Sequence, residues 1–337
     1  MRKYLLPENG QFYKANLHCH TTLSDGRKTP SEVKEMYKAA GYSVIAYTDH
    51  DILIPQTRLN DPDFLTLNSF EIQLTEPKSE KKPEANMCKT CHLCFIALDP
   101  ENKAQPLWYK TRFTDALPEE YKNELRIDPS LPEFEKAHTP ECVNKAIKIC
   151  KDAGFFVTYN HPTWSLEDYT DYMAYEGMDA MEIVNYSSFN AGYPEYNPRV
   201  YDDMLKGGKR IYCLATDDNH NKVDDSFGGF VMIKADELDY KKITNALVNG
   251  EFYASQGPVI NALWIEDGRL HIECESAAEI CFETSRRHYS KIKAVDGVGV
   301  TSGECNVYPE DLYVRVTVTG FDGKHANTNA YFTDKIL

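Results

Sequence analysis

Through residues 12–235, short apolar runs alternate with segments of helical period. Residues 12–18, FYKANLH, have the pattern of a first strand. Thr29-Pro30-Ser31-Glu32 follows as a helix start: Thr29 is placed to cap, Pro30 suits the first turn, and Glu32 completes a capping box. The helix SEVKEMYKAA stops at Gly41, and SVIAYT reads as the next strand. The unit returns at residues 139–160, where Thr139-Pro140-Glu141 opens the helix CVNKAIKICKDA, Gly154 closes it and FFVTYN follows. It returns again where YDDMLKGGK leads into RIYCLAT at 210–216. Such repetition predicts an α/β fold of parallel strands with helical crossovers, a barrel whose active site lies at the C-terminal strand ends. The polar clusters Thr48–Asp51, Asn160–His161 and Thr216–His220 all fall at those ends.

Two stretches break the rhythm. Residues 99–138 are rich in Pro, Glu, Lys and aromatic side chains (Trp108, Tyr109, Phe113, Tyr121), and an insertion of this length predicts a cap or rim over the site. After the helix YKKITNALVN, which closes at Gly250, the pattern becomes that of antiparallel strands. NALWIEDGRLHIECES reads as a hairpin around Asp267-Gly268, and Val314, Val316 and Val318 alternate before a second Asp-Gly turn at Asp322-Gly323. By pattern the chain divides into an α/β part, residues 1–253, and a β-sandwich-like part, residues 254–337.

Composition narrows the function classes. At 337 residues and 42% apolar content the chain can bury a sizeable core. A formal charge of −15 argues against nucleic acid or anionic membrane as partner, because tracking phosphates needs clustered Lys and Arg. Only Leu5 and Leu6 precede Pro7, so the N-terminus lacks the apolar centre of a signal peptide, and no run approaches about 18 apolar residues. A cytoplasmic protein is expected, with its ten cysteines mostly thiols. Cys88, Cys91 and Cys94 have CxxC spacing, but no fourth ligand follows and Cys94 lies inside the strand-like run HLCFIAL, so ordinary thiols are the expectation.

The histidines carry the chemistry. Ten of them placed at random would produce an HxH pair roughly 0.3 times, so His18 and His20 alone decide nothing. Their company does: Asp25 in SDG, His50 in TDHD, Glu71 in SFEIQ, His92 in CHLC, His161 in NHP, and Asp218 with His220 in DDNH. Singly, each has a bland reading: a hydrogen-bonded His beside a strand, a turn Asp at Ser24-Asp25-Gly26, a surface Glu71. Nine nitrogen and oxygen donors together would be a costly core, since each would need a buried partner. Imidazole mixed with carboxylate suits Zn²⁺, Mn²⁺ or Fe²⁺.

The run NLHCHTTLSDGRKTPSEVKEMYKAAGYSVIAYTDHD resembles the opening of the polymerase-and-histidinol-phosphatase (PHP) superfamily, which pairs HxH with SDG and then TDHD after one helix. Glu71, His92, the HP at 161–162 and the DxH at 218–220 follow in that family's order. The resemblance implies a distorted (βα)7 barrel and three divalent metal ions. One would be held by His18, His20, Glu71 and Asp218, a second by the shared Glu71 with His92 and His161, and a third by Asp25, His50 and His220. It implies a metal-bridging hydroxide as nucleophile and a small, phosphorylated metabolite as substrate. Asp51 and Asp217 flank ligands and, with Asp49, are candidates to orient imidazoles or move protons; Arg199 and Lys222 are candidates to touch an anionic substrate. Residues 248–258 and the ending DGKHANTNAYFTD resemble the appended β domain of carbaryl-hydrolase-related PHP members, although Asn327 stands where those often have Trp. Amide, carbamate or carboxylic ester hydrolysis at the same site is therefore a second reading, and a noncatalytic metal-dependent binding module a third.

Overall fold

A computed structural model describes residues 2–127 and 130–337. The helix starts are built as the local chemistry requires. Thr29 Oγ1 accepts from the Glu32 N–H while the Glu32 carboxylate accepts from the Thr29 N–H, a reciprocal cap on the helix Pro30–Ala39. Thr139 caps Pro140–Asp152 and Asp239 caps Tyr240–Asn249, which ends on left-handed Gly250. These helices turn Val33 and Tyr37, Val143 and Ile147, and Ile243 and Leu247 inward onto the sheets.

The strand–helix alternation is present in a mixed α/β fold, but the sheets are neither wholly parallel nor closed. Gln11–Asn16, Val44–Ala46 and Leu65–Leu67 pair in parallel, as do Phe155–Tyr159, Ala180–Asn185 and Tyr212–Thr216. Ser69–Thr75 and Thr90–Ala97 pair antiparallel, Thr90–Ala97 runs antiparallel to Phe155–Tyr159, and Phe230–Ala235 runs antiparallel to Gln11–Asn16. The Thr75–Thr90 link holds only the short turn Ala85–Met87, and a link without a helical crossover returns its strand antiparallel. A five-stranded and a ten-stranded sheet result, bridged at Cys19–Asn219 and His50–Glu71. No sheet closes on itself among the described residues.

The ten-stranded sheet runs on past the change in sequence pattern. Phe252–Ser255 pairs with Phe230–Ala235 on one side and His325–Thr328 on the other. The hairpin Ile260–Glu266/Arg269–Ala277 turns at Asp267 (φ 49°) and Gly268 (φ 75°), the paired positive angles that an Asp-Gly turn supplies. Its four-stranded sheet, which the N-terminal Lys3–Tyr4 also joins, shares a core with the far end of the ten-stranded one through Leu263, Ile272, Phe282 and Val316. In Tyr313–Thr319 the alternating Val314, Val316 and Val318 form the strand their pattern predicts and face the shared core. The opposite face is buried too: Arg315 lies against Tyr201 and Asp202 of the helix Pro198–Lys206, and Thr317 Oγ1 donates to Glu283 and to Asn327 Oδ1.

Cys91 and Cys94, three apart on the strand Thr90–Ala97, point to opposite faces. No helix among the described residues is long and apolar enough to cross a membrane.

Candidate metal centre

Beyond Asn16 the chain stays extended, with Cys19 bridged to Asn219. Cys19 packs into the core with Val33 and Ile45, so His18 and His20 turn the other way, and His20 lines a cleft. Glu71 and His92 stand on adjacent antiparallel strands, and His50, His161, Asp218 and His220 lie just past strand ends. Backbone at Asp51, His161 and Asp218 is left-handed, with φ of 65°, 28° and 52°. For such residues this stores about 1–3 kcal/mol each, and that kind of strain gathers where side chains must be aimed.

All nine expected donors converge. His18 Nε2 and His20 Nε2 are 3.2 Å apart, and Asp218 Oδ1 stands 3.2 and 3.1 Å from them. Glu71 Oε1 is 3.2 Å from His18 Nε2, and its Oε2 is 3.4 Å from His20 Nε2. The same Glu71 Oε1 lies 3.1 Å from His92 Nδ1 and 3.7 Å from His161 Nε2. Asp25 Oδ1 is 3.3 Å from His220 Nε2, 3.7 Å from His20 Nδ1 and 3.8 Å from His50 Nε2. Bonds of about 2.0–2.2 Å to a shared tetrahedral ion put neighbouring ligands about 3.3–3.6 Å apart, and most of these spacings fall near that range.

Three of the converging atoms, Asp25 Oδ1, His50 Nδ1 and Asp218 Oδ1, are buried without a hydrogen-bond partner. Leaving a buried polar atom unpaired costs about 1–3 kcal/mol, more where it is charged. The donor set and these three atoms fit divalent cations of the borderline class. Electrostatics point the same way. Burial opposes charge on Glu71, yet His18, His92 and His50 hold its carboxylate well below the usual range. His161 is also desolvated, but its hydrogen bond to Glu71 and the field of Asp218 push it up to about 9. His220, desolvated but bonded to Asp25, likewise rises to about 9. Protons and divalent cations thus compete for the same nitrogens.

A carboxylate that sequence reasoning missed stands behind the donors. Glu182 Oε1 lies 2.7 Å from His18 Nδ1 and accepts from Thr216 Oγ1 at 2.6 Å. Its Oε2 accepts from the His161 N–H and the Asn185 amide, both at 2.9 Å. A carboxylate on the far nitrogen of an imidazole sets its tautomer and aim. The available signal was one acid inside the fully buried run AMEIVN.

The other acids have different surroundings. Asp49 accepts from the Thr21 N–H, Thr21 Oγ1 and Ser24 Oγ, and so braces the turn that carries Asp25. Asp217 accepts from Tyr37 Oη at 2.7 Å and from the N–H groups of Phe227, Gly228 and Gly229 at 2.8–2.9 Å. Burial pushes it up to about 6, and it does not line the cleft. Asp51 accepts from Tyr109 Oη, faces Lys136 Nζ at 3.8 Å, and also lies outside the lining. Arg199 is exposed and paired with Asp203, away from the cleft, whereas Lys222 Nζ donates to Asp25 Oδ2 at 2.8 Å.

The cleft holds about 270 Å³; eight of the nine donors line it, with His18 behind them, and its lining also includes Gln73, Arg112, Trp164, Ser187 and Ser188. Arg112 comes from the 99–138 insertion. Neither it nor Trp164 was singled out by pattern, since each sits in a stretch without strand or helix periodicity.

No protein-family model and no curated protein matches the chain. Among solved structures it is similar to a two-domain protein from Bacteroides vulgatus containing a predicted PHP-like metal-dependent phosphoesterase: 15% identity, TM-score 0.47, 98% of each chain covered. A protein from Bifidobacterium adolescentis, assigned by prediction as a metal-dependent phosphoesterase, aligns at 16% identity and TM-score 0.40 over 66% of this chain and 91% of that one. An amidohydrolase from Chromobacterium violaceum, with bound sulfate and no metal, aligns at 17% identity and TM-score 0.38 over 63% and 89%. With every TM-score below 0.5 the shared path is too loose to assign chemistry, which rests on the donors themselves.

Proposed function

We propose that the chain is a PHP-type metal-dependent phosphoesterase that acts on a small phosphorylated metabolite. The carrying observation is the convergence of nine buried or half-buried donors on one another, with Asp25 Oδ1, His50 Nδ1 and Asp218 Oδ1 facing other ligand-type groups rather than hydrogen-bonding elsewhere in the protein. In this reading His18, His20, Glu71 and Asp218 hold one divalent ion, Glu71 with His92 and His161 a second, and Asp25, His50 and His220 a third. Ions bound there supply an acidified water and positive charge for the phosphoryl oxygens.

The chain's own work is positional. Glu182 aims His18, and the Asn160 amide donates to Glu71 Oε1 at 3.1 Å and so orients the carboxylate that two positions share. Lys222 neutralises the second oxygen of Asp25. Arg112 makes no carboxylate pair among the described residues, although it lies at the cleft of a protein with net charge −15. Arg2, Arg58, Arg210 and Arg269 find carboxylates, and although Arg27 and Arg287 make none among the described residues either, Arg112 is the arginine that lines the cleft. A guanidinium left free beside the donors favours an anionic ester over a neutral amide or carboxylic ester, which the same ions would otherwise serve equally well.

Anaerobic purification with metal analysis, followed by a panel of phosphate, carboxylic ester and amide substrates, tests this reading. Phosphate release that chelation abolishes and Zn²⁺, Mn²⁺ or Fe²⁺ restores is expected. Ester or amide turnover with no phosphate released sinks the phosphoesterase assignment. Binding of phosphorylated compounds with turnover of none sinks the enzyme assignment.

A further inference from the structure

The cleft rim is polarised from end to end. At one end the Arg112 guanidinium lies 4.6 Å from the Phe113 ring centroid, and that ring stacks on His50 at 5.5 Å and 19°. His50 meets His92 edge-on at 5.7 Å. At the other end Trp164 sets its ring edge-on to His92 at 5.4 Å and to His161 at 5.0 Å. A guanidinium and an indole therefore bracket the row of donor imidazoles.

Lone exposed apolar residues are common and need no function. Trp164 is different because its placement is enforced. It is 39% exposed, yet the buried Glu195 carboxylate accepts from its backbone N–H at 2.7 Å and from the Thr163 N–H at 3.2 Å. With the indole braced against two donor rings, Trp164 lines the cleft. Arg112 is likewise held by the aromatic ring beneath it and keeps its five donors free of carboxylates among the described residues. The enclosed 270 Å³ amounts to roughly nine waters at about 30 Å³ each, room for a compact molecule.

Resting on the phosphoesterase reading, we infer that Arg112 and Trp164 are the specificity residues of the cleft and select a compact phosphate monoester whose organic group is a flat apolar ring. Arg112 pairs with the phosphoryl oxygens and Trp164 packs on the ring.

Both side chains are exposed, so substitution leaves the core intact. Binding of phenylphosphonate and methylphosphonate to the metal-loaded protein is measured by calorimetry, alongside phosphate release from phenyl phosphate and glycerol phosphate. Trp164→Ala should weaken phenylphosphonate roughly tenfold while leaving methylphosphonate within about twofold, the loss of one aromatic contact. Arg112→Gln should weaken both by roughly tenfold or more, and Arg112→Lys should recover part of that loss. Equal losses for the two phosphonates in Trp164→Ala, or unchanged affinity in Arg112→Gln, overturn the inference. Because selectivity is read from binding, that result differs from absence of phosphate release in the wild type, which overturns the parent reading instead.

Discussion

Arg315 in the β part and Glu71 in the cleft are each 1% exposed, but the chain surrounds them differently. The Arg315 guanidinium meets Asp202 at 3.0 Å, Glu283 at 2.5 Å and Thr317 Oγ1 at 3.1 Å, so its charge is answered from within the protein. Around Glu71, apart from the Asn160 amide, cluster six imidazoles and two further carboxylates, ligand types that face one another, and three of their atoms make no hydrogen bond. A buried charge whose partners the chain provides is cross-bracing. Donors that the chain turns on one another, with some of their hydrogen bonds left unmade, are a binding site, because a ligand that binds there stabilises the fold that holds them.

This contrast is open to direct attack. The largest effect is expected from Glu71→Ala, which removes the carboxylate shared by two positions: phosphate release should fall by at least about 10³-fold and metal content should drop. Elemental analysis beside turnover checks it, and full metal content with intact turnover would remove Glu71 from the centre. Arg315→Met should do the reverse. By leaving Asp202 and Glu283 unanswered it should cost about 3 kcal/mol in urea unfolding, discounted for the partial exposure of both carboxylates, without changing metal content. Loss of metal in that variant would mean the two regions are not independent.

Glu182→Gln is expected to be intermediate, lowering metal affinity by about 10–100-fold in competition with a chelator while the fold persists. The smallest effect is a pH dependence at Glu167, another carboxylate with its partners supplied: it accepts from Tyr159 Oη at 2.7 Å and from Tyr175 Oη, and lies 2.9 Å from His138 Nε2. Burial opposes charge on His138, but the bond to Glu167 raises it above its ordinary value. A raised histidine contributes stability that is complete below about pH 6.5 and lost as pH rises through the folded value. Wild type should therefore exceed His138→Gln in melting temperature most at about pH 6 and least above about pH 8. A gap that widens with rising pH would reverse the assignment.

The nine donors were legible because each sits in a short motif, most of them at strand ends or turns, where two-residue spacing and turn chemistry are local matters; Glu71 and His92 lie within strands. Glu182 was not, since its partner His18 is 164 positions away; they meet only because Ala180–Asn185 pairs with Tyr212–Thr216, beyond whose end Asn219 bridges to Cys19. Asp217 shows the opposite failure. Adjacency to Asp218 marks it as a candidate helper, yet it is turned to the loop Phe227–Gly229, and neighbouring side chains on a turn need not share a direction. The strand directions were equally hidden, because a fully buried strand has the same apolar pattern whether it pairs in parallel or antiparallel. In Tyr313–Thr319 the alternation of Val314, Val316 and Val318 marks a strand, but nothing local says that Asp202 will cover its polar face at Arg315.

By itself the sequence determined the caps, the helix and strand segments, the Asp-Gly hairpin turn and the identity of the donors, all of which depend on contacts within a few residues. Tertiary structure decided which sheets form, that they stay open, which acids face the cleft, and that Arg112 and Trp164 flank it. Those outcomes depend on distances between segments far apart in the chain, set by how each buried face finds a partner rather than by the pattern of any one segment.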